Sequence, residues 1–136
     1  MRKVAIGIAL LFAVTAFGQE RRMQSFTERY GADLGLTDTQ KSTIDNIEKK
    51  WNEDHEKFLT DFRATMAEYR AAREANDTAK LDALKPKMDA QRAEMTKLRA
   101  EQEEKIATTF TDEQKAKWSK IKEEREARMK AREQQH

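Results

Sequence analysis

The sequence predicts an all-α fold. Glycine occurs only at positions 7, 18, 31 and 35, and Pro86 is the sole proline. Beyond Gly35 the chain is rich in Ala, Glu, Lys, Arg and Gln, which favour helix, and it almost lacks breakers. Its apolar residues recur at three-, four- and seven-residue steps rather than alternating, so they make helical stripes and give no strand signal. Two stretches, "LTDTQK" and "FTDEQK", repeat the pattern [Leu/Phe]-Thr-Asp-x-Gln-Lys, each opening a long charged run.

The N-terminus reads as an address. Arg2 and Lys3 precede the apolar run Val4–Val14, and Ala16-Phe17-Gly18 places small residues where a signal peptidase reads. The run is too short for a membrane span. Residues 1–18 are therefore expected to be a cleavable signal peptide and the periplasm the destination, with no membrane insertion after cleavage. Residues 19–35 read as a flexible arm, disordered over Gln19–Ser25 and carrying a short helix around Phe26–Leu34.

A helical domain is expected over 36–125. Thr37 is placed as an N-cap, with Asp38 in the favourable first turn and Gln40 able to reach back to the cap's own N–H. That is a capping box, and Thr111 with Gln114 repeats it. Leu36 and Phe110 stand where a hydrophobic staple begins, but the facing positions are Lys41 and Lys115, so both are expected to pack elsewhere. From the first box one stripe (Ile44, Ile47, Trp51, Phe58, Phe62, Met66, Tyr69) runs to about Ala75. A single helix of that length would measure roughly 55 Å.

The stretch "EANDTAK" breaks it, with Asn76 or Asp77 capping the next helix. A second stripe follows through Leu81, Leu84, Met88, Met95, Leu98 and Ile106. Pro86 lies inside and should kink this helix or mark a short one before it. Thr108-Thr109 ends the run, and the second box starts a last helix with Trp118, Ile121 and Met129. Residues 126–136 read as a frayed or disordered charged tail. Long helices with single narrow stripes bury little in one molecule, so a homodimer is expected to cover the rest.

Composition narrows the function. The 27 basic residues less Arg2 and Lys3 leave 25, against 25 acidic ones. A balanced mature chain lacks the phosphate-neutralising excess of a nucleic-acid binder. Pairs such as Glu53–Lys57, Glu101–Lys105, Glu113–Lys117 and Glu126–Lys130 have the i,i+4 spacing of a solvated helical surface. No catalytic triad, Gly-rich phosphate loop or HExxH is present, so no enzyme and no cofactor is expected. Cysteine is absent, which removes disulfides and thiolate sites. His55 and His136 are the only imidazoles. His55 is a weak metal candidate, because neither has a second His three or four residues away.

Two such boxes about a long charged hairpin resemble the Spy/CpxP family of exported proteins, which carries the LTxxQ motif twice. Leu36-Thr37-Asp38-Thr39-Gln40 matches in full. Phe110-Thr111-Asp112-Glu113-Gln114 has Phe in place of Leu, and Asp112 where many members have Pro. The resemblance implies a bent hairpin of about four helices that dimerises into a thin cradle and brings the two motifs together. Leu36 and Phe110 would then be neighbours, and Thr37, Gln40, Thr111 and Gln114 a structural clasp.

It further implies an ATP-independent chaperone of unfolded or misfolded envelope proteins in the envelope stress response. The alternatives are a regulator docking on a sensor kinase, or a metal-binding sensor protein. Candidate client contacts are Ile47, Trp51, Phe58, Phe62, Met66, Met88, Met95 and Leu98. Flexible Met side chains among aromatics suit a promiscuous surface.

Overall fold

A computed structural model describes residues 23–135. The expected signal peptide, with its expected cleavage after Gly18, lies outside them, as do Gln19–Arg22 of the expected arm and His136. Five helices follow in order: α1 (Phe26–Leu34), α2 (Asp38–Asp54), α3 (Glu56–Glu74), α4 (Thr78–Ala107) and α5 (Asp112–Glu133). No strand occurs among the described residues, and the chain is all-α.

Local chemistry sets each boundary. Ser25 starts α1 with its own capping box, paired with Glu28, so this part of the arm is an ordered helix start and not a disordered lead. Gly35 ends α1 at φ 63°. Its N–H bonds Ala32 O and the Leu36 N–H bonds Gly31 O, the pattern of a Schellman turn, which needs a left-handed residue. Between α3 and α4 the same turn is made by Asn76, at φ 51°. The Asn76 N–H bonds Arg73 O and the Asp77 N–H bonds Ala72 O. Asp77 then caps α4 by accepting from the Lys80 N–H at 3.1 Å.

The long helix expected from the first box is two helices, divided at His55. Its backbone sits at φ −115°, ψ 15°. The His55 N–H reaches Trp51 O at 3.1 Å, and the ring Nδ1 donates to the same carbonyl at 2.8 Å. Two donors converging on one carbonyl disturb the regular ladder there. The count is therefore five helices rather than about four. Pro86 marks no boundary, since α4 runs through it. The charged tail is also helical, for α5 continues to Glu133.

α4 returns along the α2–α3 pair, touching α3 first and α2 further on. The seam of this hairpin buries Thr65, Ala72, Met88, Met95 and Leu98. The main core lies at the other end, where α1, α2, α4 and α5 converge. It joins Phe26, Leu34, Leu36, Ile44, Ile106, Phe110 and Trp118. Phe26, Tyr30, Phe110 and Trp118 form an aromatic cluster with ring centroids 5.0 to 6.4 Å apart. α1 is thus integral to the core rather than part of a separate arm.

Candidate functional site

The two boxes meet. Thr37 accepts from the Gln40 N–H at 3.2 Å while Gln40 Oε1 accepts from the Thr37 N–H at 3.0 Å. Thr111 and Gln114 repeat both bonds at the same distances. Gln40 Nε2 donates to Gln114 Oε1 at 2.7 Å and to Thr109 O at 2.9 Å. Gln114 Nε2 donates to Gln40 Oε1 at 3.0 Å and to Gly35 O at 3.3 Å.

The arrangement is a pseudo-twofold. Each glutamine closes its own cap, pairs with the other glutamine, and bonds the carbonyl two residues before the other cap. All four hydrogen-bonding positions of each amide are filled, which satisfies Gln114 although it is buried. Leu36 and Phe110, the residues before the caps, point into the same core cluster.

Two further ties fix α1 and α5. Glu48 of α2 accepts from the Phe26 N–H at 2.8 Å, so a side chain from one helix caps the start of another. Burial pushes the Glu48 carboxyl up from its ordinary value, an effect that this hydrogen bond only partly offsets. Arg125 of α5 forks onto Glu103 of α4 at 2.8 and 3.0 Å. It also lies 5.6 Å from the Trp118 ring centre. The Glu103 carboxylate raises the Arg125 pKa, so the guanidinium stays charged.

Beside the clasp lies an open groove of about 1140 Å³ between the α1/α5 side and the α2/α4 side, extending onto the first turns of α3. Trp51, Leu59, Ala100 and Ala107 supply apolar wall, backed by the buried Trp118. Trp51 is fixed by its indole N–H, which donates to Leu98 O at 3.2 Å. Charges of both signs surround that wall, among them Arg29, Arg63, Arg99, Glu53, Glu56 and Glu104.

The candidate contacts separate accordingly. Trp51 lines the groove, and Ile47 packs against the core. Phe58 and Phe62 stack at 6.3 Å on α3 and, with Met66, stay half-buried away from the groove. Met88, Met95 and Leu98 are withdrawn as contacts: at 3, 7 and 8% exposure they are hairpin seam. Sequence reasoning missed Leu59, Tyr30, Met23, the Ala100–Ala107 wall and the Arg125–Glu103 fork. The i+8 spacing of Leu59 from Trp51 was the one available signal.

His55 stacks on Trp51 at 4.9 Å and is held by its carbonyl. Among the described residues no group of three or more His, Asp or Glu is arranged to hold a metal ion. No described helix is long and apolar enough to cross a membrane.

Five helices, a doubled capping box joined through its glutamines, and an adjoining groove define an all-helical motif-paired protein. The model of the LTXXQ motif family matches residues 22–122. The chain belongs to that family, which includes the Spy/CpxP-type periplasmic proteins. The match begins ahead of α1 and so takes in the helix that completes the core. No curated protein and no solved structure matches the chain significantly.

Proposed function

We propose that this protein is an exported, ATP-independent chaperone that holds unfolded or misfolded envelope proteins in the groove beside the paired motif. The supporting observation is the groove itself, an open apolar wall from Trp51 and Leu59 to Ala100 and Ala107, framed by both signs of charge. Such a surface attracts extended chains of varied sequence, because its charges make weak, exchangeable contacts and its apolar wall takes whichever side chain arrives. It is too open for tight binding, which suits a client that must leave to fold.

The half-buried Phe58, Phe62 and Met66 on the two-helix layer offer a second chain a surface to cover, so the working unit is a homodimer forming a cradle. The clasp then serves shape: it fixes where α2 and α5 begin and hence the width of the groove. Catalysis has no part in this reading.

The test is aggregation of a chemically reduced or heated model client with and without mature protein, residues 19–136. Suppression near equimolar ratio without nucleotide supports the proposal. No suppression at any ratio removes it and favours docking on a sensor-kinase domain.

A further inference from the structure

Among the described residues, two large hydrophobic side chains are strongly exposed, and both are methionines. Met23 is 70% and Met129 57% exposed, and both line the groove. One precedes α1 and the other lies on α5. The remaining described methionines are withheld, with Met88 and Met95 buried in the hairpin seam and Met66 half-buried. The chain has no cysteine, so methionine thioethers are its principal two-electron oxidation targets.

We propose that Met23 and Met129 are an oxidation site that lowers the groove's hold on apolar segments; this rests on the groove being the client site. A peroxide or a hypohalous acid is the oxidant. With hydrogen peroxide the sulfur lone pair attacks one oxygen, the O–O bond breaks, an S–O bond forms and water leaves. Sulfur is oxidised by two electrons and the peroxide is reduced by two. A flexible apolar side chain becomes a polar sulfoxide. Two such changes replace the groove's most accessible apolar surface, while the buried methionines keep the fold intact. Sulfoxide is reducible, so the change is reversible.

The test uses the mature chain, limiting hydrogen peroxide, and peptide mass mapping beside binding of a fluorescent, reduced and alkylated lactalbumin. One-oxygen additions should appear at Met23 and Met129 well before Met66, Met88 and Met95. Client binding should then weaken about tenfold with unchanged melting, since burying a methionine contributes on the order of that factor or more. Methionine sulfoxide reductase should restore it. In the Met23→Leu/Met129→Leu variant, apolar but not oxidisable at these positions, peroxide should leave client binding at that variant's own untreated level.

The proposal is overturned by oxygen entering Met66, Met88 or Met95 first, by undiminished binding once both sites are oxidised, or by equal loss in the double variant. If untreated protein binds no client, the groove reading itself fails and takes the proposal with it. The mass map distinguishes that outcome from a failure of selective oxidation.

Discussion

Gln40 and Gln114 stand 74 residues apart and hydrogen-bond each other in both directions, at 2.7 and 3.0 Å. Neither amide is redundant, since each also holds its own cap and the other copy's carbonyl. The motif is doubled because one copy satisfies the other. A lone capping box would leave its glutamine N–H₂ without a protein acceptor, and two copies in contact close the set.

Gln114→Ala removes the partner of Gln40, of Gly35 O and of the Thr111 N–H. It should cost about 1–3 kcal/mol, the penalty for stranding buried polar groups. Gln40→Ala should cost somewhat less, being nearer solvent. In a double-mutant cycle by urea unfolding, the pair should couple by about 0.5–3 kcal/mol, while additivity would show the two amides to be independent.

Thr37→Ala and Thr111→Ala each remove the side-chain acceptor of a helix N-terminus and should cost about 1 kcal/mol apiece. The melting temperature of the double variant should fall, yet the still-folded protein should keep client binding near normal. Lost binding at unchanged stability would assign the motif to client contact instead of shape.

Glu48 gives the fold a pH dependence of defined sign. Its folded pKa lies above the ordinary value of 4.5, so protonation favours the folded chain. That contribution is full below the unfolded pKa and is lost as pH rises through the folded one. Glu48→Gln keeps a carbonyl for the Phe26 N–H and carries no charge. Its melting temperature relative to the parent should therefore be highest at neutral pH and decline toward about pH 4.5. Glu48→Ala leaves that N–H without its acceptor and should lose about 1 kcal/mol.

Arg125→Lys keeps the charge but surrenders the two-pronged bond to Glu103 and the guanidinium's place over the Trp118 ring. A stability loss of up to about 1 kcal/mol is expected, because the pair is only partly buried. The loss should shrink in Glu103→Gln protein, where the fork has no carboxylate to meet. Chemical denaturation of the four proteins of this cycle measures it.

What the sequence revealed was what its neighbours in the chain decide. Phe26–Leu34 as a short helix and the starts at Thr37 and Thr111 depend on caps within four residues. The division at His55 depends on where a ring nitrogen lands, and the apolar stripe runs across it unbroken. The tail beyond Arg125 lost its stripe and looked frayed. It stays helical on propensity and local pairs such as Arg128–Glu124, at 3.7 Å, while its one large apolar side chain, Met129, stays exposed.

The stripe told that Met88, Met95 and Leu98 face something, but not that α3 and α2 already cover them. The groove was hidden for the same reason. Its lining takes residues from all five helices, and no spacing within one helix encodes how they converge. Leu59, one residue from Phe58, faces the groove although Phe58 had been the sequence candidate.

The central claim is that clients lie in the groove, and site-specific photo-crosslinking reads that directly. A photoreactive residue in place of Asn52 or Ala100, both on the groove, should capture an unfolded client on illumination. The same residue at Ala83, on the exposed side of α4, should not. Equal capture from all three positions, or capture from Ala83 alone, would contradict the account.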